Sequence, residues 1–164
     1  MICKYKATIP GNKVFMRVYE IDSEDTLFNL HEFLQNDLGF SPDQMVLFTA
    51  TDKNGKTVKK FGLFDMGDGS MDKITLDSLI SGDMPVIRYV FNLMKNLFIE
   101  LAFISRSEYD PRRDYPRTIM EKGMNPDQFS EVYEDYGEYA ETDTEDGASY
   151  LEEELPENRE WEGN

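Results

Sequence analysis

The chain has one histidine, His31, and one cysteine, Cys3, among its 164 residues. A single imidazole excludes the common catalytic zinc sites, which need several. A general-base role for His31 requires a serine or cysteine nucleophile brought close by the fold, and no nucleophile-elbow pattern is present. Because His31 lies beside leucines at helical spacing, the sequence favours a structural, hydrogen-bonded histidine.

Three aspartates, Asp65, Asp68 and Asp72, lie within a short glycine-rich segment. Several carboxylate oxygens close together are typical of a site for a hard cation such as Ca²⁺. The segment is not an EF-hand, because Gly67 and Gly69 stand where two ligands are required. Two alternatives stay open: a cation site, used with His31 by a cation-dependent enzyme, or a solvated loop whose aspartates make turns and cap the next helix. The loop is the commoner arrangement, and no cofactor is predicted.

Basic residues form two clusters. The first, on a predicted hairpin, contains Lys53, Lys56, Lys59 and Lys60, and the second contains Arg112, Arg113 and Arg117 around Tyr115. Each has the chemistry to contact phosphate, but lysines on a hairpin rim more often protect a sheet edge and aid solubility. The calculated pI of about 4.3 makes nucleic acid an unfavourable partner while the acidic C-terminus is attached.

Negative charge is concentrated in the C-terminal part of the chain. Residues 127–164 contain 15 acidic residues and one basic residue, a net charge of −14, whereas residues 1–126 carry only −2 of the total of −16. Beyond Tyr139 few aliphatic side chains are available to offset the entropy of ordering the chain. The sequence therefore predicts a single folded domain over residues 1–126. It predicts an acidic tail over residues 127–164, with room for a short helix through Phe129 and Tyr136, then mostly disorder.

Tyrosines alternate with acids at the start of this tail, at Tyr133, Tyr136 and Tyr139. An acidic, aromatic segment suits docking on a basic, partly apolar surface, either on a protein partner or on the chain's own basic clusters. The leading hypothesis is therefore a small interaction or regulatory module. An acidic mimic of nucleic acid, or a solubilising polyanion without a partner, are the alternatives for the tail.

Composition indicates in which compartment the protein resides and whether any segment could span a membrane. A lone cysteine excludes an internal disulfide, and residues 1–10 lack the apolar core of a secretory signal, so we expect a cytoplasmic protein. The most apolar stretch, residues 86–104, contains Arg88, Lys95 and Glu100. Charges at these positions argue against a membrane span and favour two strands.

Local patterns predict six strands and two helices. Alternation of apolar and polar residues predicts strands over residues 4–9, 14–21, 45–51, 56–61, 86–94 and 97–105. Leucines at helical spacing predict a helix that follows capping residues 22–25 and stops at Gly39, and residues 75–80 suggest a shorter one. Tight turns such as Asn54-Gly55 imply antiparallel pairing. We expect an α+β fold in ββαββαββ order, a mixed or largely antiparallel sheet of about six strands with one main helix packed on it, and an extended segment after residue 105.

The main helix also carries a family motif. Residues 26–35 read TLFNLHEFLQ and are followed by Leu38-Gly39-Phe40. This resembles the T-L-x-x-L-H-x-x-[IL]-Q…G-[WF] signature of the plasmid open-reading-frame-three-like family, also labelled an insertion-element passenger or TnpR-like family. Further matches occur in the same order as in the family, so the resemblance covers roughly residues 1–130. They are Arg17, the Arg88-to-Asn92 segment, Tyr115-Pro116-Arg117, Gly123 and Pro126.

The resemblance implies an α+β domain of mixed or antiparallel sheet with a helix packed on it, found in mobile-element settings and without an established activity. The TnpR label suggests a resolvase, but the chain shows neither a nucleophilic serine amid catalytic arginines nor a basic DNA-binding part. Many members carry a D-[FY]-G-D-x-W stretch in the fifth strand, where this chain has residues 90–95 of different type. A ligand role for those acids is therefore not carried over.

Overall fold

The computed structural model describes residues 1–130 as seven strands and two helices, joined by loops and one 3₁₀ turn. The strands are β1 (Ile2–Ile9), β2 (Asn12–Asp22), β3 (Leu47–Thr51), β4 (Thr57–Phe61), β5 (Val86–Asn92), β6 (Leu97–Ser107) and β7 (Arg117–Lys122). The helices are α1 (Leu27–Leu38) and α2 (Leu76–Ser81), and the 3₁₀ turn covers Met71–Lys73. The tail tyrosines and the part of the predicted tail helix beyond Ser130 lie outside the described residues.

The seven strands form one sheet in the order β4-β3-β5-β6-β1-β2-β7, in which every neighbouring pair is antiparallel. Three hairpins are joined by the pairing of β3 with β5 and of β1 with β6. The second of these pairings places Ile2 opposite Ser107, from distant parts of the chain. The predicted α+β class, with a largely antiparallel sheet and one main helix, is confirmed.

One face of the sheet forms the core beneath the helices. Alternate strand residues point into it, and the fully buried ones include Tyr5, Tyr19, Tyr89 and Ile99. Helix α1 packs its leucine row on this face, and its Phe33 ring meets Tyr19 edge-on at 5.3 Å. Helix α2 lies on the same side, since its Asp77 pairs with Arg106 of β6 at 3.3 Å. Both helices of residues 1–130 therefore share one face of the sheet.

Helix α1 begins after residues 22–25, which the sequence pattern predicted as its capping residues, and its cap is a different residue. Its N-cap is Thr26, whose Oγ1 accepts a hydrogen bond from the amide of Asn29 at 3.2 Å. The prediction that residues 22–25 supply the cap is wrong, because Asp22 ends β2 and its side chain accepts the amide of Glu24 in a turn. The predicted stop at Gly39 is confirmed, with φ of 70° in the left-handed region that glycine tolerates.

The turn between β3 and β4 is organised by an aspartate. Oδ1 of Asp52 accepts hydrogen bonds from the amides of Asn54 and Lys56 at 2.9 and 3.0 Å. Only Gly55, with φ of 84°, has positive φ here. The hairpin is therefore present as predicted, but Asn54 does not take the positive φ that a tight turn centred on Asn54-Gly55 requires.

Residues after 105 contain a strand that the sequence patterns did not predict. Strand β6 continues to Ser107, and β7 then pairs with β2 at one edge of the sheet. Pro111 and Pro116 precede β7 and do not interrupt it, which suits an edge position. The prediction of about six strands followed by an extended segment is wrong here, because β7 is defined by its pairing with β2 and not by its own periodicity.

Residues 123–130 run from the β7 edge back to the turn between β5 and β6. Arg17, only 2% exposed, donates to the carbonyl oxygens of Lys122 and Gly123 at 2.5 and 3.1 Å and to Oδ1 of Asn125 at 2.9 Å. Further along, Gln128 is buried, and its Oε1 accepts the amide of Ser41 at 2.7 Å. The Gln128 contact ties a residue beyond the predicted domain limit at residue 126 to the folded body.

Candidate interaction surface

The second face of the sheet, which we call the open face, carries no helix from residues 1–130. Its side chains are the strand residues that alternate with the core, and cross-strand pairing aligns them in rows. From β4 to β7 they include Lys60, Leu47, Thr49, Arg88, Val90, Phe98, Glu100, Lys6, Val18 and Met120. The face therefore mixes basic and apolar side chains.

Positive charge exceeds negative charge on the open face. Its strands present six basic residues, Lys4, Lys6, Lys60, Arg88, Arg117 and Lys122, against three acidic ones, Glu20, Asp22 and Glu100. Arg88 pairs with Glu100 at 3.2 Å, and Arg117 pairs with Glu20 at 2.6 Å. The four lysines form no ion pair within residues 1–130, so their charge is uncompensated there.

A shallow groove of about 380 Å³, the open-face groove, crosses strands β4, β3, β5 and β6. Lys60 and Arg88 line it together with the apolar side chains of Val90, Leu93 and Phe98. The guanidinium carbon of Arg88 lies 4.9 Å from the centre of the Phe98 ring, so a cation–π contact holds the arginine over the sheet. The groove thus offers two cations beside apolar surface.

A larger cavity of about 610 Å³, the end cavity, lies at the turn between β5 and β6. Its apolar lining comes from Met45, Leu93, Met94 and Phe129. Met94 is 98% exposed and Met45 is 73% exposed, which is unusual for large apolar side chains that cluster together. Leu93 contributes to the lining of both the end cavity and the open-face groove.

The end cavity is shaped by hydrogen bonds that the sequence did not reveal. The side-chain amide of Asn92 donates to the carbonyl oxygen of Gln128 at 3.0 Å, and its Oδ1 accepts the amide of Lys95 at 3.0 Å. Nζ of Lys95 donates to the carbonyl oxygen of Phe129 at 2.5 Å. These bonds hold the β5–β6 turn and the last described residues together, with the Phe129 side chain half exposed at the cavity.

The hairpin lysines do not form a single patch. Lys60 belongs to the open face, opposite Thr49, whereas Lys59 lies opposite Ala50 on the other side of the sheet. Lys53 pairs with Asp83 at 3.5 Å, although both side chains are largely exposed. Lys56 follows the turn at the start of the edge strand β4. Lysines at this sheet edge are consistent with the edge-protecting role expected from the sequence.

The arginine cluster is also divided. Arg112 and Arg113 both pair with Asp110, at 3.1 and 3.2 Å, and the hydrogen bonds from Arg112 in particular lower the pKa of the Asp110 carboxyl. Arg117 lies in β7 and pairs across the strands with Glu20. Of these three cations, Arg117 lies on the open face and has Glu20 as its partner, whereas Arg112 and Arg113 share the single carboxylate of Asp110.

The three aspartates of the glycine-rich loop bind separate partners. Asp65 accepts the backbone amides of Gly67 and Gly69 at 2.7 and 3.1 Å, which lower the pKa of its carboxyl. Asp68 accepts the amide of Lys60 at 3.0 Å, and Asp72 accepts the hydroxyl of Ser70 at 2.5 Å. Residues 1–130 contain no group of three or more histidine, cysteine or acidic side chains able to hold a metal ion. The loop makes turns, and helix α2 is capped by its own Thr75.

His31 belongs to the core. Its Nδ1 lies 2.7 Å from the hydroxyl oxygen of Tyr89 on β5, and the histidine is 7% exposed. Burial lowers the pKa of the imidazole, so its neutral form is favoured near neutral pH. Cys3 is buried as well, and burial raises the pKa of its thiol. Neither group lines either cavity.

Sequence reasoning named Lys60 and Arg117 but missed the other basic residues of the open face. Lys4 and Lys6 alternate with the buried residues of β1, and this alternation was a signal that they share one face. The sequence patterns pointed to Arg88 as part of the family motif and as a charge in an apolar stretch, but not as a binding residue. Strand order was needed to bring it near Lys60, because β3 separates their two strands. Residues 1–130 contain no helix with the length and apolar character required to cross a bilayer.

No protein-family model matches the chain, and no curated protein matches it. A crystal structure of a protein of unknown function from Methanosarcina mazei Go1 is similar, with a TM-score of 0.63 and 17% sequence identity. The match covers 73% of this chain and 68% of that chain. At this identity the likeness establishes a shared fold alone.

Proposed function

We propose that this chain is a small cytoplasmic protein-interaction or regulatory module of the mobile-element type, related to the plasmid open-reading-frame-three-like family. In this proposal the acidic residues 127–164 engage a basic protein partner or cover basic side chains of the folded body. The observation that supports it best is the opposition of charge between a net-positive open face and a C-terminal segment of net charge −14.

Covering of the open face is the form of the proposal that the geometry favours. Lys4, Lys6, Lys60 and Lys122 have no carboxylate partner within residues 1–130, whereas Arg112, Arg113 and Arg117 already do. A segment joined to the body by a short linker has an effective concentration on the order of millimolar. Weak ion pairs with exposed lysines therefore suffice to populate the covered state at low salt.

The test compares two full-length proteins. In the amide variant, the 14 acidic residues after Ser130 are replaced by glutamine or asparagine, so the chain length and the aromatic residues are kept. We expect the amide variant to bind heparin or duplex DNA about tenfold or more tightly than the natural chain at low salt, with affinity falling as salt rises. Fluorescence anisotropy with labelled polyanion measures both affinities. Equal binding by the two proteins would falsify covering of the body.

A matched pair of lysine variants locates the covered surface. In the amide background, Lys6→Gln with Lys60→Gln removes two open-face charges, whereas Lys53→Gln with Lys59→Gln removes two charges from elsewhere on the body. We expect the first pair to weaken polyanion binding more than the second, because each lost phosphate contact reduces both affinity and salt slope. A larger effect of the second pair assigns the binding to the hairpin instead.

The alternative of a cation-dependent enzyme gains no support from the described residues, since Asp65, Asp68 and Asp72 serve separate partners. Titration with Ca²⁺ or Mg²⁺ tests it directly, because a cation that binds only the folded state raises the melting temperature. We expect no rise at millimolar cation. A clear rise would revive the enzyme hypothesis. Affinity purification from the native cell tests the remaining alternatives, a basic protein partner or a nucleic-acid-binding protein.

A further inference from the structure

We infer that the open-face groove is a binding site for a small amphiphilic carboxylate, in which one carboxylate group is joined to an apolar chain or ring. The carboxylate contacts Lys60 and Arg88, and the apolar part lies along Leu47, Val90 and Phe98. This inference goes beyond the proposed function and does not depend on it, because it concerns residues of the folded body alone.

The first argument is a polar row across three strands of the groove. Lys60 of β4 lies opposite Thr49 of β3, and Thr49 lies opposite Arg88 of β5, so the three side chains share one face of the sheet. Neighbouring strands lie about 4.8 Å apart, which places the backbones of Lys60 and Arg88 about 10 Å apart. At this separation the two long side chains reach a single anionic group placed over Thr49. None of the residues within 1–130 that line the groove is acidic.

The second argument is that Arg88 is held in place with its outer nitrogens available. Its Nε donates to Oε2 of Glu100 at 3.2 Å, and its guanidinium carbon lies 4.9 Å from the centre of the Phe98 ring. Nη1 and Nη2 have no hydrogen-bond partner among residues 1–130. These two nitrogens present parallel N–H groups, and that arrangement fits the two oxygens of one carboxylate.

Charge decides between a carboxylate and a phosphate. Lys60 forms no ion pair in the described part of the chain, and Arg88 shares its charge with Glu100. Two positive side chains and one negative side chain leave a net charge of +1 at the groove. A carboxylate supplies one negative charge and balances it, whereas a phosphate monoester brings about two near neutral pH and leaves an excess.

The third argument is an apolar row beside the polar one. Leu47, Val90 and Phe98 lie opposite one another across β3, β5 and β6, two residues along their strands from Thr49, Arg88 and Glu100. The groove volume of about 380 Å³ lies within the range of small-molecule sites. A ligand with its carboxylate on the polar row therefore removes its apolar part from water on the adjacent row.

The experiment titrates four related compounds into full-length protein with ¹³C-labelled leucine and valine methyl groups. Octanoate has both features, octanamide lacks the charge, acetate lacks the apolar chain, and octyl phosphate has a different anionic group. Leu47 and Val90 report on the groove, and Val18, on the open face outside the groove, is the reference. We expect millimolar octanoate to shift the Leu47 and Val90 NMR signals while that of Val18 stays in place. Octanamide and acetate should bind about tenfold more weakly or less.

Matched variants locate the carboxylate. Arg88→Gln should weaken octanoate binding about tenfold, because two charge-assisted hydrogen bonds are lost. Lys60→Gln should weaken it about threefold, since an exposed ion pair contributes less. Lys6→Gln removes an exposed charge from the same face outside the groove and should leave binding unchanged. The two lysine variants alter exposed side chains, so they decide the question even if Arg88→Gln does not fold.

Unchanged Leu47 and Val90 signals with octanoate, in both the natural chain and the amide variant, overturn the inference. Equal binding of octanamide also overturns it, as do equal losses in Lys60→Gln and Lys6→Gln, because binding then does not depend on the cations of the groove. Tighter binding of octyl phosphate overturns the assignment to a carboxylate. The octanoate titration reads the groove and the polyanion comparison reads the acidic segment, so this inference and the proposed function fail separately.

Discussion

At the scale of single residues, Arg17 has the most consequential set of contacts. Its guanidinium is buried under residues 122–125, lies 4.5 Å from the centre of the Phe15 ring, and satisfies two backbone carbonyls at the end of β7. Within residues 1–130 its Nε has no hydrogen-bond partner, and the hydrogen bonds are made by the two outer nitrogens, Nη1 and Nη2. A buried cation held by carbonyl oxygens is stable only while those acceptors stay in place.

We therefore expect Arg17→Met to lower the free energy of unfolding by about 2 to 4 kcal/mol, since the two carbonyls lose their donor in a buried site. Arg112→Met is the matched control, because the Arg112 side chain is 87% exposed, and its effect should stay within about 0.5 kcal/mol. Urea denaturation followed by circular dichroism measures both. Similar losses in the two variants would contradict the structural role of Arg17.

His31 is a second single residue with a testable effect, because it makes the stability of the fold depend on pH. Burial lowers its pKa in the folded state, so between that value and the ordinary value near 6.5 the unfolded chain binds more protons. Its contribution is therefore fully present above the unfolded pKa, and we expect stability to fall as pH drops from about 7 to 5. In His31→Gln this decline should flatten. Urea midpoints across that pH range measure it, and an identical slope in both proteins would show that other groups are responsible.

At the scale of elements, the starts of the two helices are tied to each other. Thr26 and Thr75 form an isolated antiparallel bridge, the amide of Leu27 donates to the carbonyl oxygen of Ile74 at 2.9 Å, and that of Leu76 to Asp25 at 3.0 Å. Each threonine also caps its own helix. The short helix α2 thereby gains an anchor on the longer α1.

We expect Thr26→Ala to cost about 1 kcal/mol of stability, the usual value of a lost N-cap. Thr57→Ala, at an exposed position of the edge strand β4, provides a threonine control with a smaller effect. Thermal unfolding of the two variants separates a capping contribution from a general effect of losing a hydroxyl and a methyl group. A greater loss in Thr57→Ala would argue against the cap.

At the scale of the whole molecule, two kinds of asymmetry coincide. Residues 1–130 place both helices on one face of the sheet, and the opposite face presents the uncompensated lysines. Along the chain, residues 127–164 hold a net charge of −14. The proposed function connects these two asymmetries, because opposite charges on one chain attract most strongly at low ionic strength. The attraction between the acidic segment and the lysines should weaken as the salt concentration rises, whereas a purely apolar interaction would not weaken in this way.

The sequence by itself determined the features that depend on near neighbours. Alternation in residues 4–21, 45–61 and 86–105, the leucine row of α1 and the stop at Gly39 predicted three hairpins and one main helix, since strand and helix periods are local properties. The concentration of acids after residue 126 is likewise plain from composition.

Only the tertiary structure decided what distant residues form together. The pairing of β1 with β6 and of β2 with β7 defined the sheet order, and β7 has no periodic signal of its own. The same pairing separated Lys59 from Lys60, aligned Lys60 with Arg88 across β3, and brought Phe129 beside Met94. Register between remote strands depends on packing and on turn lengths taken together, so a candidate surface assembled from seven strands is not visible in any single stretch of the chain.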